Sequence, residues 1–382
     1  MRLSVRLPEV QPDEYAMPET CPYGCGGERY CPHGVQGQVK PLRDIGYEEV
    51  VSYRYKCMSG GQTFRVYPLG VSKGAQQSER LRALTVLAYV LGMSYGAVED
   101  FTVALGCGVS KTTVYNNVQA AGVAAGRKQR ESVAQGDQRP VIGADGTFVK
   151  LKGETVGIEV VVDDSSGELL GLEIITSENH DEIVGVIEDV ATAVQAQVLV
   201  SDDHGAYNEV VDDTSLLRQI CRSHAKRNTD DLADRLGKHL QRAEPLPEGV
   251  ALTPEQVAAD LAQLQRWIRE RPSDGEQQLA QMYDRYKDVP TPENRERHSV
   301  WYRMRMMVTR MWLRWRCVTL DQWRDDLDGT NNACELLIGW WIKERYRTMR
   351  GYKRRESIRN VATLTAYIGA APNYYDLTEL MA

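Results

Sequence analysis

Apolar residues recur along the chain at two different periods, and the change of period divides it. From Ser78, the residues Leu81, Leu84, Leu87, Ala88 and Leu91 fall at helical spacing, and Gly92 ends the run. Ser94 is placed to cap a second helix, with Ala97, Val98, Phe101 and Leu105 on one face. Gly106-Cys107-Gly108-Val109 reads as a turn, and Ser110 caps a third helix. Residues 126–139 are polar and read as a linker. At Pro140 the pattern changes to strands: Val141–Leu151, Thr155–Val162 and Leu169–Ile175, the last two joined by the turn-forming Asp163-Asp164-Ser165-Ser166-Gly167. His180–Val194 has the pattern of an amphipathic helix, Val198–Ser201 that of a short buried strand, and Leu216–Ile220 that of a fifth strand. Three antiparallel strands, a helix and two further strands predict a mixed α/β sheet.

No strand pattern follows for about a hundred residues. Residues 225–330 read as helical, broken at Pro245-Leu246-Pro247 and Pro290-Thr291-Pro292. Five of the seven tryptophans lie there: Trp267, Trp301, Trp312, Trp315 and Trp323. Asn331-Asn332 then opens a helix to about Arg347. At the other end, residues 1–20 read as an extended, poorly ordered lead-in, and 21–70 as a Gly-rich stretch with short strand-like runs such as Val50–Tyr55.

A chain of 382 residues can bury a sizeable core in two or three domains. No run approaches the ~18 apolar residues of a membrane helix, and no apolar run follows the basic residues near Met1. A cytoplasmic, nucleoid-associated protein with no membrane partner is expected. The net charge of −7 argues against a general nucleic-acid coat. It hides an asymmetry. Between Trp341 and Asn360 stand Lys343, Arg345, Arg347, Arg350, Lys353, Arg354, Arg355 and Arg359 against Glu344 and Glu356. Trp301–Arg316 holds five arginines and no acid. Both stretches predict a localised surface for a polyanion. Four of the eight cysteines crowd between residues 21 and 57, which in a cytosolic chain points to a metal.

Three carboxylates stand out by position. Asp145 lies between apolar residues of the first strand, where an unpaired charge is costly. Asp202 follows the Val-Leu-Val-Ser strand directly, with Asp203 as the alternative. Glu335 falls in the first turn of the last long helix. Clustered carboxylates hold Mg²⁺ or Mn²⁺ through oxygen, and two such ions can activate an attacking oxygen and stabilise a leaving one.

With Gly143-Ala144-Asp145-Gly146-Thr147, Val200-Ser201-Asp202-Asp203-His204-Gly205-Ala206-Tyr207 and Thr330-Asn331-Asn332-Ala333-Cys334-Glu335 in this order, the chain resembles the DDE-type transposases of insertion sequences. The resemblance implies an α/β, ribonuclease H-like core with a mixed five-stranded sheet. It makes Asp145, Asp202 and Glu335 the ligands of two Mg²⁺ or Mn²⁺ ions. The 133 residues between Asp202 and Glu335 resemble the subgroup that inserts an all-helical domain before the final Glu. In that subgroup a Cys-x-x-His pair lies near the active site, which makes Cys221 and His224 supporting residues, with Asn331 and Asn332 beside Glu335.

The resemblance also implies the layout of the chain. Residues 1–72 would be a zinc-ribbon-like segment, 78–126 a helix-turn-helix, 140–224 the first part of the core, 225–330 the insertion and 331–382 the closing helices. The ribbon would bind zinc through Cys21, Cys25, Cys57 and either Cys31 or His33, because Gly60 stands where a second Cys-x-x-Cys would end. The third helix would present Lys111, Thr112, Thr113, Tyr115, Asn116 and Asn117 to DNA. The 341–360 segment would hold phosphates, and an insertion-domain tryptophan could stack on an unpaired base. The implied partners are DNA, as element ends and target, and further copies of the chain, as a dimer or higher oligomer. The implied activity is strand cleavage and strand transfer. A decayed element that only binds DNA, and a nuclease that cuts without joining, are the alternatives.

Overall fold

The computed structural model describes residues 5–176, 180–240, 251–292, 299–349, 351–370 and 375–381. The first break of the insertion, at Pro245–Pro247, lies outside them. The N-terminal part is built of short strands: β1 (Val5–Arg6), β2 (Gln11–Tyr15), β3 (Tyr30–Pro32), β4 (Gln38–Pro41), β5 (Glu49–Cys57), β6 (Thr63–Val66) and β7 (Pro68–Leu69). β5 is the hub, pairing with β3, β4 and β6, all antiparallel. Residues 5–15, within the stretch expected to be a loose lead-in, form paired strands. β2 pairs with β7, and β1 runs parallel to β13 (Tyr375–Asp376) at the far end of the chain.

Three helices follow: α1 (Glu79–Val90), α2 (Tyr95–Ala104) and α3 (Lys111–Ala134). Ser78, Ser94 and Ser110 each accept a backbone N–H three residues on, the N-cap bond that fixes a helix start. α3 is much longer than its polarity suggests. Residues 126–134, read above as linker, continue the helix, because Ala121, Gly122, Ala125 and Gly126 form a small-residue face buried against α13 (Arg355–Gly369).

The central sheet comprises β8 (Val141–Leu151), β9 (Glu154–Asp163), β10 (Leu169–Ile175), β11 (Val198–Ser201) and β12 (Leu217–Ile220). Their spatial order is β10-β9-β8-β11-β12. The first three are antiparallel, and β11 runs parallel to both β8 and β12. This is the mixed five-stranded sheet that the resemblance implies. One face packs Ile158, Val160 and Val162 with α1–α3 and α13. The other packs Ile142, Ala144 and Val161 with α4 (His180–Val194) and α5 (Ala206–Asp213).

After β12 the chain leaves the sheet through α6 (Arg222–Leu240), α7 (Pro254–Glu270), α8 (Gly275–Tyr286), α9 (Val300–Leu313) and α10 (Trp315–Thr319). These helices share a core of their own, in which Trp267, Trp301 and Trp315 are buried. Trp312 stacks on Tyr283, and Trp323 is exposed. Where the excursion ends, the Arg222 N–H donates to the Gly329 carbonyl at 2.9 Å. The chain then re-enters the core as α11 (Asn332–Leu336), a π-helical stretch (Leu337–Lys343) and α12 (Glu344–Arg347). It closes with α13, β13 and α14 (Thr378–Met381). Among the described residues no helix is long and apolar enough to cross a membrane.

Candidate active site

The sheet brings Asp145 and Asp202 to one end. Gly143 of β8 is level with Val200 of β11, and each aspartate lies two residues further on along its parallel strand. Asp202 sits just past the end of β11, where the chain turns: its carboxylate accepts the His204 N–H at 2.9 Å. Arg218 of β12 braces that turn from below. Its guanidinium donates to the Ser201 hydroxyl and to the Asp202 and His204 carbonyls.

Glu335 comes from the other side of the chain. Asn331, at the entry to α11, is fully buried, and its side-chain amide donates to the Ala144 carbonyl at 2.8 Å, one residue before Asp145. A Cβ on Gly143 would stand 2.6 Å from Asn331 Oδ1, so the β8 glycine is what lets the helix dock this close. Asn332 is exposed at the first position of α11.

The electrostatics are those of a site short of positive charge. Burial raises the Asp145 pKa to about 6, and the neighbouring Asp202 and Glu335 charges push the same way. Among the described residues no Lys or Arg forms an ion pair with Asp145 or Asp202; Lys343 exerts only a distant lowering pull on Asp145. Behind them stands a carboxyl that the sequence reading passed over. Glu159 of β9 is opposite Gly146 and buried, bonded to the Tyr207 hydroxyl at 2.9 Å, and desolvation raises its pKa to about 8. Its signal was an acid inside Gly-Ile-Glu-Val-Val-Val, the pattern that drew attention to Asp145.

Asp203 belongs to the scaffold. It pairs with Arg310 and Arg314 of the helical insertion at 2.5 and 2.6 Å, which also engages part of the 301–316 arginine stretch internally. Asp202 makes no such ion pair among the described residues. The oxygens of Asp145, Asp202 and Glu335 do not close into one ligand group. The compact group is Cys221, His224 and Glu335, whose ligand atoms lie within 4.8 Å of one another. Three carboxylates at one sheet end, mutually repelling and without a counter-ion, suit hard divalent cations bound through oxygen, and ligands spread this way suit two ions better than one.

At the N-terminus the sulfurs of Cys21, Cys25 and Cys57 gather within 4.8 Å. Cys31 and His33 stay outside this group. Cys31 alternates with Tyr30, the residue level with Cys57, and so points to the other face of the sheet, and His33 is exposed beyond the strand. A Cβ built on Gly60 would lie 2.7 Å from Cys25 Sγ, so position 60 faces the cluster and lacks a ligand atom there. The Gly60 N–H points at Cys57 Sγ, 3.4 Å away, and lowers the pKa of that thiol. Three thiols with such support fit a zinc ion that draws its fourth ligand from outside the group.

Of the residues expected to face DNA, Lys111, Thr112, Asn116, Lys343, Arg347, Lys353 and Arg354 are exposed. Thr113 bonds the Ser110 hydroxyl. Tyr115 is half-buried against Tyr95 and bonds Ser357, and Asn117 is buried against Gln77 and Thr85. Arg345 is a core residue: its guanidinium lies over the Tyr89 ring at 3.8 Å and donates to the Met93 carbonyl. Its partners are the aromatic side chains of α1 and α2, which no single-segment charge count can reveal. Arg355 is exposed too, with one guanidinium N–H donating to the Ile174 carbonyl on the β10 edge. Arg350 lies outside the described residues.

The model of the family described as Transposase IS66 family matches residues 74–339, from just before α1 to just past Glu335. The chain belongs to the IS66 transposase family. The match leaves the three-cysteine cluster outside and takes in all three carboxylates and the whole insertion, so this family carries its helical excursion within its shared region. No curated protein matches the chain. Among solved structures, the HTLV-2 integrase catalytic core domain in complex with magnesium is 15% identical, covering 34% of this chain and 84% of that one, at a TM-score of 0.21. The catalytic domain of Mos1 mariner transposase is 9% identical, covering 53% and 93%, at 0.18.

Proposed function

We propose that the chain is the DNA-cutting and DNA-joining enzyme of its insertion sequence, with Asp145, Asp202 and Glu335 holding two Mg²⁺ or Mn²⁺ ions. The observation that carries this reading is the pair of uncompensated aspartates at one end of a parallel strand pair, with Glu335 delivered beside them by Asn331. The ions supply charge for activating an attacking oxygen and for stabilising the leaving oxygen of a phosphodiester. The residues of the chain do the positioning. Asp145 is fixed by its strand, Asp202 by the His204 amide and the Arg218 brace, and Glu335 by the Asn331 anchor. Water attack would free a 3′-hydroxyl at the element end, and that hydroxyl would attack target DNA.

In the same reading α2 and α3 act as a helix-turn-helix, with Lys111, Thr112 and Asn116 toward the terminal repeats. Lys343, Arg347, Lys353 and Arg354 hold phosphates. The Cys21, Cys25 and Cys57 group holds zinc, and at least two copies assemble on paired ends.

The deciding experiment is cleavage of a labelled duplex carrying the element's own terminus, with Mg²⁺, with Mn²⁺ and with EDTA. Metal-dependent cleavage is expected, with joining of the cut 3′ end to a second duplex. Asp145→Ala, Asp202→Ala and Glu335→Ala should each lower it by at least ~10³-fold, on the scale of losing a group that acts only on the transition state, and leave binding of the terminus intact. Tight binding without cleavage in any metal would overturn the reading in favour of a decayed element. Cleavage without joining would reduce it to a nuclease.

A further inference from the structure

The most compact set of potential ligands at the active site joins Glu335 to two residues the carboxylate chemistry does not use. Cys221 ends β12, His224 lies in the first turn of α6, and Glu335 comes from α11. Glu335 Oε1 is 3.7 Å from Cys221 Sγ and 3.2 Å from His224 Nδ1. These are the separations of atoms that share one small ion: metal–sulfur bonds near 2.3 Å and metal–nitrogen and metal–oxygen bonds near 2.0–2.2 Å place tetrahedral neighbours roughly 3.3–3.8 Å apart.

Two further observations point to a missing partner. The His224 Nδ1 atom is buried and has no hydrogen-bond partner, since the nearby Glu335 oxygen lies off the line that a ring N–H would need. The Cys221 sulfur is fully buried and surrounded by positive dipoles: the Asn331 N–H points at it from 3.4 Å, and the Ser223 and His224 amides add to the same field. Burial pushes that thiol's pKa up and the three amides offset this only in part, so the sulfur becomes a ligand where an ion displaces its proton. A thiolate, an imidazole and one carboxylate oxygen form a ligand set for a thiophilic ion. They do not suit Mg²⁺, which takes oxygen ligands.

We propose that Cys221, His224 and Glu335 form a further metal site, adjoining the two-ion site through the shared Glu335, that takes a zinc-class divalent cation. The ion takes Glu335 Oε1, leaves the other carboxylate oxygen toward Asp145 and Asp202, and completes its coordination with water. His224 and Cys221 are then positioning residues for Glu335. That role rests on the proposed function, whereas binding of the ion does not.

The test uses the full chain, stripped with a chelator and reloaded with zinc or with cobalt as a spectroscopic probe. Metal content is measured on wild type, Cys221→Ser, His224→Ala and, to account for the N-terminal cluster, Cys57→Ser. Cys221→Ser and His224→Ala should each hold about one equivalent less zinc than wild type. Cobalt-loaded Cys221→Ser should lose part of the thiolate-to-metal absorption that Cys57→Ser retains. Where Cys221→Ser fails to fold, His224→Cys replaces one soft ligand by another: the ion should stay and the cobalt spectrum should shift toward two thiolates. Equal zinc content in folded wild type and His224→Ala, or an unchanged cobalt spectrum in His224→Cys, would overturn the site. A protein that shows this metal content but cuts no DNA would retain the site and refute the function. A protein that cuts DNA without it would do the reverse.

Discussion

A carboxyl among valines announces itself in a sequence, and two such carboxyls stand on neighbouring strands here. Asp145 draws attention because a carboxylate in the middle of an apolar run is costly unless it is paired or bound. Glu159 carried the same signal, but only the register of β8 against β9 shows that it backs the same site from one strand over. Position in the sequence also could not decide between Asp202 and Asp203. What separates the two is that Asp203 pairs with Arg310 and Arg314, more than a hundred residues away. The Asp145 pKa carries a consequence for stability. A carboxyl whose folded pKa, about 6, lies above its unfolded value of 3.8 binds protons more tightly when folded. It therefore costs stability as pH rises from about 4 through 6, and the full cost persists above that. Asp145→Asn removes this cost. In metal-free buffer at pH 7.5 the variant should melt above wild type, with a gain of up to about 3 kcal/mol. The gap should close as pH falls toward 4. Thermal melts across that range check it, and a variant that melts lower at pH 7.5 would show that the carboxylate is better compensated than its surroundings suggest.

Elements were legible where one face alone determines them. All five strands of the central sheet and α4 fell close to their expected spans, because a strand buried on both faces, or a helix with one apolar stripe, writes its period into the chain. α3 failed that test. Its C-terminal half is polar on average, and what keeps it helical is a narrow face of small residues that lets α13 approach. A Cβ on Gly122 would meet the Asn360 carbonyl oxygen at 2.3 Å. Helix backbones this close leave no room for a side chain, so Gly122→Val should separate α3 from α13 and cost at least about 2 kcal/mol. Gly185→Val, in α4 with open space around it, isolates the ordinary cost of replacing a helical glycine. Denaturant melts of the two variants give the comparison, and equal losses would refute the close-packing account. The stretch after Glu335 shows the same limit. It reads as helix from Asn332 to Arg347, and so it is, but a π-helical segment from Leu337 to Lys343 changes which side chains share a face with Glu335.

At the scale of the whole molecule, the central sheet and the strandless excursion were readable, and the joins between distant parts were not. The pairing of β1 with β13 uses two residues on each strand, too few to leave a period. Arg345 reaching Tyr89 converts apparent surface charge into an internal bond, and Arg355 ties its helix to the edge of β10. Such contacts depend on which segments become neighbours, a matter that hydrophobic pattern does not encode. The hydrogen bond from Arg222 to Gly329 belongs to this class, and it has a constructive use. Seen from the sheet, a hundred residues leave and return through a doorway one hydrogen bond wide. For the core, then, the helical excursion is topologically a loop, and loop length is cheap to change. Replacing residues 226–326 with a short Gly/Ser linker should give a chain whose sheet still folds and resists protease. It would lack the arginines that hold Asp203, the Asp321 amide that donates to Gln219, and the helices that cover Ile220 of β12. Limited proteolysis and near-ultraviolet circular dichroism would show it, and a molten product would mean that the two cores fold as one. A gate of this kind lets one part of a gene be lengthened, trimmed or exchanged while the residues on either side of it stay in register.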